Sequence, residues 1–371
     1  MNIVIVAGEV SGDLLAGKLV TGLKNLDNQL CISGIGGQSM RDAGVNTLFD
    51  VRETSVVGIT EILKHYPRLH KILSTLKKHI RQTKPELLIL VDYPEFNLKL
   101  AQYAKKLNIK VVFYVSPQVW AWRTGRIEKI KNCVDLMAVL FPFELDFYQN
   151  AGVPACLVRH PLLDDIDNAY KSTDITPEKI TVIGMLPGSR ENEIKKLLPV
   201  MIEAGHKLLN QNPNMRFILP AAPGTDINEL KTFNKNNLPI DYQQDSFYQS
   251  LQQCQALMIA SGTATLQAAL MGKAMVVIYK ISPITYKLFG HMVNVEHICL
   301  ANIILNRRAY KELIQDDANA DNLFDSLTEL INDNKTSEKM INNREEIRNN
   351  LNAGITSNEL AIRALALTKQ T

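Results

Sequence analysis

Asp92 is the carboxylate that is best placed to act as a general base. It follows the apolar run Leu87–Val91, which predicts a buried strand, and Pro94 forces a turn shortly after it. A carboxylate at the carboxyl end of such a strand can accept the proton of a substrate hydroxyl. The same position also suits an Asp that only caps the following helix, and position alone favours neither interpretation.

The segment Gly8–Asp13 (GEVSGD) contains a second set of candidate residues. It follows the apolar run Met1–Ala7 and precedes a helical pattern, so its backbone amides can face an anion or a sugar hydroxyl. Glu9 and Asp13 are rival candidates for the base. Neither this segment nor the glycine cluster Gly34–Gly37 has the GxGxxG spacing, so a dinucleotide site is poorly supported and two tight turns are the alternative.

Two loops in the second half of the chain predict a phosphate site. The loop Leu186–Arg190 follows a predicted strand and precedes a predicted helix. Within it, Gly188 allows close approach, Ser189 can cap the helix, and the guanidinium of Arg190 can donate to phosphate oxygens. The segment Ser261–Thr263 likewise opens a predicted helix after an apolar run. Each signal is weak alone, but together they favour a nucleotide diphosphate.

Residues 60–83 predict a basic amphipathic helix. Apolar residues recur at spacings of three and four, which gives one helical stripe for the core. Pro67 is expected to kink or start the helix. A helix of this kind suits an anionic membrane surface, and a solvated surface helix is the equal alternative. Its basic residues are Lys64, Arg68, Lys71, Lys77, Lys78 and Arg81, with Glu61 as the only acidic residue.

Two further patterns allow a structural interpretation as readily as a functional one. Trp120 and Trp122 lie two residues apart in a proline-broken segment, where they either line a sugar or lipid site or, as is more frequent, pack in the core. Asp165 and Asp167 match a DxD spacing. Because they lie in the polar stretch 163–179, we interpret them as solvated residues of a linker.

The elements that must position these loops are strands that alternate with helices. This alternation predicts parallel sheets covered on both faces, and a length of 371 residues suggests two domains. The predicted fold class is α/β, with two Rossmann-like doubly wound domains that face a central cleft and a helical C-terminal tail. The predicted boundaries are 1–165 for the first domain, 176–335 for the second and 336–371 for the tail.

Composition excludes several classes of protein. A net charge of +3, from 41 basic and 38 acidic residues, is too balanced for a dedicated nucleic-acid binder. The five scattered cysteines have no zinc-binding spacing and indicate free thiols in a reducing compartment. The N-terminus does not match a signal peptide, and no stretch matches a spanning helix. These features predict a cytoplasmic protein that can still contact a membrane surface.

Together, these motifs resemble those of the lipid-A-disaccharide synthases, a family of inverting glycosyltransferases of the two-domain GT-B type. They occur in the same order from residue 7 to residue 315, and SPQVWAWR is the most specific. The matching stretches are AGEVSGD at 7–13, VVGITEIL at 56–63, DYPEFN at 92–97, YVSPQVWAWR at 114–123, LPGSR at 186–190, SGTATL at 261–266, and ANIIL at 301–305 followed by Arg308 and ELIQ at 312–315.

The resemblance implies a reaction and a set of residues. The family transfers 2,3-diacylglucosamine from UDP-2,3-diacylglucosamine to 2,3-diacylglucosamine 1-phosphate, forms a β(1→6) disaccharide and releases UDP, without a cofactor or an obligatory metal. Asp92 would then deprotonate the acceptor 6-hydroxyl, and Arg190 would stabilise the leaving UDP. The acceptor would contact Glu9, Ser11 and Asp13. The UDP-sugar would contact Gly188, Ser189, Ser261, Gly262, Thr263, Gln267 and Asn302.

The resemblance also implies partners and a location. The acyl chains of the substrates would explain a membrane-facing basic helix in a protein without a spanning helix. We therefore expect peripheral association with the anionic inner face of the inner membrane, and a homodimer is a further expectation. The sequence does not specify the acyl chain lengths.

Three positions depart from the family pattern. The family has Glu where this chain has Gln267, and such a Glu binds the ribose hydroxyls, for which Gln is a neutral, weaker acceptor. Arg159 replaces a Gly before His-Pro, and Ala301 replaces a Pro. Two alternative functions stay open. One is a UDP-N-acetylglucosamine 2-epimerase, which shares the fold and needs no lipid; the other is a weakly active paralogue that binds nucleotide-sugar.

Overall fold

The computed structural model describes residues 1–53, 59–117, 124–170, 181–222, 224–244, 246–280 and 296–369. Contacts divide the chain into two compact units. The first comprises Met1–Pro161 with Leu351–Thr371, and the second comprises Leu162–Asn350.

Strands and helices alternate along the chain, with short 3₁₀ turns at Val51–Glu53, Thr124–Arg126 and Gln315–Asp317. The strands are β1 Asn2–Ala7, β2 Cys31–Gly36, β3 Asn46–Asp50, β4 Leu87–Val91, β5 Lys110–Tyr114, β6 Leu136–Val139, β7 Ala155–Leu157, β8 Val182–Leu186, β9 Arg216–Pro220, β10 Ile240–Gln243, β11 Ala256–Ala260, β12 Ala274–Tyr279 and β13 Lys311–Ile314. The helices are α1 Val10–Leu26, α2 Gln38–Asp42, α3 Ile59–Thr83, α4 Pro94–Lys105, α5 Ile127–Cys133, α6 Pro142–Asn150, α7 Leu162–Tyr170, α8 Glu191–Gln211, α9 Ile227–Lys231, α10 Phe247–Gln253, α11 Thr263–Leu270, α12 Leu300–Leu305, α13 Ala320–Asn332, α14 Thr336–Asn352 and α15 Ser357–Thr368.

Each unit is built on one parallel sheet. The first sheet has the order β3-β2-β1-β4-β5-β6-β7, and the second has the order β10-β9-β8-β11-β12-β13. In both, the first strand lies in the middle, so the chain builds outward in one direction and then crosses back to build in the other. Ala7 pairs with Val91 in the first sheet, and Leu186 pairs with Ile259 in the second. The loops that follow these central strands therefore start side by side.

Alternation along β1 explains how the first sheet is covered. Ile3, Ile5 and Ala7 pack on one face, against α1 and α15. Val4 and Val6 pack on the other face, against α3, α4 and α5. Successive side chains of a strand point to opposite faces, and a strand buried on both faces reads as the continuous apolar run that predicted it.

The two predicted α/β domains with parallel sheets and a helical C-terminal region are confirmed. The structure divides the chain at different positions from those predicted, however. The polar stretch 163–179 begins inside α7, in which Leu163 and Ile166 are buried. The predicted tail is also divided, because residues from Leu351 onward belong to the first unit, where α15 packs on α1.

A tight turn was the alternative interpretation of the glycine cluster Gly34–Gly37, but Gly34 and Gly36 lie in β2. At Gly34, φ is 154° and a Cβ would lie 1.8 Å from the backbone oxygen of Ile5. The glycine therefore allows two strands to approach. Strand β2 contains few apolar residues, so it could not be identified in the sequence as a hydrophobic run.

Candidate active site

The carboxyl ends of the central strands lie, in each unit, where the order of the strands reverses. In open α/β sheets, ligands bind where the strand order reverses, outside the carboxyl ends of the strands. In the first unit this switch point lies between β1 and β4, and in the second it lies between β8 and β11. The loops that follow these four strands carry most of the predicted site residues.

The backbone of Asp92 is held in an unusual conformation. Asp92 and Tyr93 have φ angles of 52° and 51°, in the left-handed region that non-glycine residues rarely adopt. Hydrogen bonds hold this turn on both sides. The amide of Asp92 donates to the Tyr114 oxygen at 2.8 Å, and Nδ2 of the buried Asn97 donates to the Asp92 oxygen at 2.6 Å. Strain of this kind often marks functional sites, and no role could be assigned from the sequence to Asn97, which holds this turn.

The Asp92 carboxyl is electrostatically suited to accept a proton near neutral pH. Burial raises its pKa from 3.8 to about 6, the negative charge of Glu9 adds to the increase, and a hydrogen bond from the Tyr93 backbone opposes it. The coupling to Glu9 shows that the loops after β1 and β4 share one environment. Desolvation beside a specific charge partner is typical of functional carboxylates.

The ring of Tyr93 packs against the loop that follows β1. A Cβ at Gly8 would lie 2.2 Å from Cγ of Tyr93, so the glycine makes room for the ring. Tyr93 also packs against Phe96, with ring centroids 5.2 Å apart. An aromatic surface next to the candidate base can pack against the apolar face of a sugar.

The three predicted acceptor contacts have different environments. Helix α1 begins at Val10, inside the segment Gly8–Asp13, so Ser11 lies in its first turn and Glu9 is the N-cap residue. Glu9 and Ser11 are exposed, as a ligand contact requires.

The role predicted for Asp13 is corrected by its burial. Its side chain is 4% exposed, and its two carboxylate oxygens accept hydrogen bonds from the amides of Gly37, Ser39 and Met40 at 2.6, 3.0 and 3.2 Å. These amides belong to the start of α2, so Asp13 joins α1 to α2 and has no exposed oxygen for an acceptor. The same bonds exclude it as the base.

Two exposed apolar residues beside Glu9 were not singled out from the sequence. Val10 and Leu14 are 59% and 55% exposed. They are four residues apart on α1 and therefore lie on one face. Their spacing merged with the apolar stripe that continues into the core, so sequence alone could not separate exposed from buried positions.

The loop after β8 places a glycine, a guanidinium and a carboxylate together. Gly188 has a φ of 102°, and a Cβ there would lie 2.4 Å from Oε2 of Glu193. Arg190 Nη1 donates to Oε1 of Glu193 at 2.9 Å, and the Arg190 side chain is 70% exposed. Ser189 is also exposed. These residues precede α8, whose first amides can bind an anion.

Glu193 is a second residue that sequence reasoning missed. It lies three residues after Arg190, which is a spacing at which side chains meet on a helix. Glu193 also acts on Tyr279, the last residue of β12. Burial and then the charge of Glu193 raise the pKa of Tyr279, while Arg190 lowers it. The carboxylate is thus the present counterion of Arg190, in the place where phosphate oxygens are predicted.

The loop after β11 is open to solvent. Ser261 Oγ donates to the Ile298 oxygen at 2.8 Å, which fixes the loop. Gly262 and Thr263 are exposed, and a Cβ at Gly262 would have no heavy atom within 4 Å among the described residues. The start of α11 is therefore free for a ligand.

Asn302 is the second predicted contact that the structure corrects. It is fully buried: its Nδ2 donates to the Tyr310 oxygen at 2.8 Å and to Oε1 of Glu312 at 2.9 Å, and its Oδ1 accepts from the Tyr310 amide. Glu312 also accepts from the amides of Ile298 and Cys299. Asn302 thus supports the segment that holds Ser261; its side chain is fully buried, and both Nδ2 hydrogens are used inside the protein.

Gln267 lies one turn into α11 and is half-buried. Its Nε2 donates to the hydroxyl of Tyr248 at 2.9 Å, and no partner of its Oε1 is recorded among the described residues. The other two departures from the family pattern have structural surroundings. Arg159 Nε donates to Asn352 Oδ1 at 2.7 Å, and Ala301 is fully buried.

Several predicted features have other outcomes. Trp120 and Trp122 lie outside the described residues. Asp165 is exposed, as predicted for a solvated residue, whereas Asp167 is half-buried and its Oδ2 lies 2.7 Å from Nη2 of Arg348; both lie in α7 and not in a linker. Helix α3 continues through Pro67, which neither starts nor ends it. Leu73, Leu76 and Ile80 are buried as predicted, while Lys71, Lys78 and Arg81 are exposed.

The basic residue Arg68 has a carboxylate partner. Its Nη2 lies 2.8 Å from Oε2 of Glu53, and both side chains are well exposed. Across the described segments, no helix combines the length and the apolar character that crossing a bilayer requires.

Comparisons with known proteins agree with this architecture. A family model described as Lipid-A-disaccharide synthetase matches residues 3–365. The lipid-A-disaccharide synthase of Geobacter sulfurreducens is 43% identical over 367 residues, which cover 97% of this chain and 95% of that protein.

Two solved structures are similar in fold at low sequence identity. The UDP-GlcNAc 2-epimerase of Neisseria meningitidis, bound to UDP-GlcNAc, has a TM-score of 0.64 and 12% identity over 99% of this chain and 100% of that one. Acinetobacter baumannii MurG has a TM-score of 0.56 and 13% identity over 100% and 99%. At this level of identity the similarity concerns the fold alone.

Proposed function

The chain belongs to the lipid-A-disaccharide synthetase family and is therefore a glycosyltransferase that transfers the sugar of a UDP-sugar donor to a sugar-phosphate acceptor, and from this premise we propose which residues catalyse the transfer. The donor is UDP-2,3-diacylglucosamine and the acceptor is 2,3-diacylglucosamine 1-phosphate. The products are a β(1→6) disaccharide 1-phosphate and UDP. The epimerase alternative is not favoured, because the lipid-A-disaccharide synthase of Geobacter sulfurreducens is 43% identical to this chain, whereas the epimerase structures share only 11–12% identity with it.

Asp92 is the general base in this proposal. The observation that carries the assignment is its position at the β1–β4 switch point, next to Glu9, with a pKa raised to about 6. A carboxyl with this pKa is mostly ionised at pH 7 and above, so it can take the proton of the acceptor 6-hydroxyl. Glu9 and Ser11 then hold the acceptor sugar. The role of Asp92 as the general base is a prediction that substitution tests.

Arg190 stabilises the leaving UDP. When the donor binds, the guanidinium of Arg190 leaves Glu193 and pairs with the diphosphate. Gly188, Ser189 and the amides at the start of α8 contact the same diphosphate. Ser261, Gly262 and Thr263 supply the second set of amides. The acceptor oxygen attacks C1 of the donor on the side opposite UDP, so a single displacement inverts the configuration.

The acyl chains of the acceptor need an apolar surface near the base. Val10 and Leu14 supply exposed apolar surface next to Glu9. Burial of such surface contributes about 25 cal/mol for each Å² removed from water. We therefore assign these two residues to the acyl chains.

Product stereochemistry tests the proposed displacement. Nuclear magnetic resonance of the disaccharide formed by the full-length protein should show a β linkage to the 6-oxygen. An α linkage would contradict a single displacement, because it requires retention of configuration.

Gln267 gives a prediction about nucleotide affinity. In Gln267→Glu, the Tyr248 hydroxyl can donate to the new carboxylate, which still accepts from a ribose hydroxyl. Because a charged acceptor forms the stronger hydrogen bond, UDP should bind about tenfold more tightly, which is about 1.4 kcal/mol. Calorimetry with UDP measures this change, and Tyr248→Phe is the control that removes the existing partner alone. Unchanged or weaker binding in Gln267→Glu would mean that the residue lies away from the ribose.

Membrane association gives a second prediction. The proposed location is the inner face of the inner membrane, where α3 contacts anionic lipid. Each basic residue near such a surface contributes about 1 kcal/mol. The triple variant Lys64→Glu, Arg68→Glu and Lys71→Glu should therefore bind anionic vesicles on the order of 100-fold more weakly. Co-sedimentation at rising salt measures the effect, which screening should reduce.

The matched control reverses three lysines of the second unit, Lys235, Lys311 and Lys335. It should bind vesicles as the wild-type protein does. Equal binding of the wild type to neutral and anionic vesicles at every salt concentration would contradict the membrane assignment. A homodimer stays a prediction that this experiment does not address.

A further inference from the structure

A cavity of about 520 Å³ on the first unit is surrounded by lysines. It lies where α3, α4 and α5 meet, and its volume falls within the range of small-molecule sites, about 300–1,000 Å³. The side chain of Cys133 is buried beneath it, and Tyr103 is half-buried at its wall. The lysines that line it are Lys77, Lys99, Lys105, Lys106 and Lys129.

The positive charge of this lysine pocket is mostly uncompensated. Lys105 Nζ lies 3.1 Å from Oδ1 of Asp135, and the other oxygen of Asp135 accepts from the Val111 amide at 2.9 Å. Among the described residues, no ion pair is recorded for the other four lysines. Lys77 instead places its ammonium 5.4 Å from the ring centroid of Tyr103. The whole chain carries a net charge of only +3, so this concentration of charge is local.

The preference of lysines for helix termini accounts for only some of the lysines in the pocket. Lysines favour the last turn of a helix because of the macrodipole, which accounts for Lys105 and Lys106 at the end of α4. Lys99 lies in the middle of α4, Lys129 precedes the last turn of α5, and Lys77 lies well inside α3. Three helices thus contribute charges that no helix end requires.

The lysine pocket is separate from the loop that contains Asp92. Helix α4 starts at Pro94, after the carboxyl end of β4, and ends at Lys105, before the amino end of β5. Lys105 and Lys106 therefore lie toward the opposite edge of the sheet from Asp92.

We propose that the lysine pocket binds a multiply charged phosphate group. Ammonium groups are compact point charges that suit phosphate oxygens, and four of the five have no ion pair with any residue that the structure describes. The phosphate can belong to a soluble molecule or to the head group of a phospholipid. The proposal goes beyond the transferase reaction and does not depend on it.

Calorimetry with pyrophosphate tests the soluble source. The full-length protein is kept at saturating UDP, so that the nucleotide site is filled. The double variant Lys99→Glu and Lys129→Glu should bind pyrophosphate at least about tenfold more weakly than the wild type. The control variant, Lys235→Glu and Lys311→Glu, has the same net charge and should bind as the wild type does.

Vesicles test the lipid source with the same variants. Vesicles that contain phosphatidic acid, whose head group is a phosphate monoester, should bind the wild type and the control, and should bind the pocket variant at least about tenfold more weakly. Loss of either pyrophosphate or vesicle binding in the pocket variant alone supports the site and identifies its source. The proposal is overturned if the wild type binds neither probe, or if the pocket variant binds both probes as the control does.

Turnover with detergent-dispersed substrates separates this proposal from the proposed function. The pocket variant should keep wild-type turnover, because no lysine of the pocket is assigned to the reaction. A wild type without turnover would count against the proposed function and would leave the phosphate measurements valid.

Discussion

Asp92→Asn should reduce turnover about 100- to 10,000-fold, which is the usual range for loss of a general base. The amide keeps the shape of the carboxylate and cannot accept the proton of the acceptor hydroxyl. UDP binding should persist, since Asp92 lies in the first unit and the nucleotide loops lie in the second. Steady-state kinetics with both lipid substrates, together with UDP calorimetry, measure the two effects.

The same substitution should stabilise the protein at neutral pH. The pKa of Asp92 is raised in the folded state from 3.8 to about 6. Its contribution to stability is therefore fully present below about pH 4 and is lost as pH rises through about 6. At pH 7 the ionised carboxylate costs about 2–3 kcal/mol, at 1.36 kcal/mol for each pKa unit. Chemical denaturation should show a gain for Asp92→Asn at pH 7 and almost none at pH 4.

The pH profile of the wild type should follow the same group. The value of kcat/KM should rise with pH up to about 6 and then level off, because the base must be ionised. Glu9→Gln is the control on the neighbouring loop, and it should shift this profile toward lower pH by removing a negative charge. If Asp92→Asn stays within a few-fold of the wild type while Glu9→Gln abolishes turnover, the base lies on the first loop.

Arg190→Ala should slow turnover about 100-fold or more, since removal of a comparable preorganised donor costs on the order of 3 kcal/mol in the transition state. Folding should be unaffected because the side chain is 70% exposed and its recorded partner is Glu193. Single-turnover measurements at saturating donor isolate the chemical step.

Lys195→Ala is the matched control for Arg190→Ala. It removes one positive charge from the first turns of the same helix, where Lys195 pairs with Glu191. This variant should keep near-normal turnover. If Arg190→Ala is as active as Lys195→Ala, then Arg190 does not stabilise the leaving group.

The positions of the candidate site residues relative to the strands could be predicted because the physics of strands is local. A buried parallel strand is a continuous apolar run, so the residues that follow it can be identified without a structure. Asp92, Gly188, Arg190 and Ser261 were found in this way, and each lies at the carboxyl end of a central strand.

The roles of polar residues inside those loops could not be read from sequence. Asp13 and Asn302 have the residue types of ligand contacts, yet both are buried and bonded to backbone groups from other segments. Burial depends on how distant elements pack, and a local pattern does not contain that information. The coupling of Asp92 to Glu9 likewise depends on the pairing of β1 with β4.

The choice of donor tests the proposed transferase function most directly. UDP release by the full-length protein should be measured with UDP-2,3-diacylglucosamine and with UDP-N-acetylglucosamine side by side, each with 2,3-diacylglucosamine 1-phosphate as acceptor. We predict release of one UDP for each disaccharide with the acylated donor and essentially none with the other. Epimerisation of UDP-N-acetylglucosamine without lipid, or binding of the acylated donor without UDP release, would contradict the account.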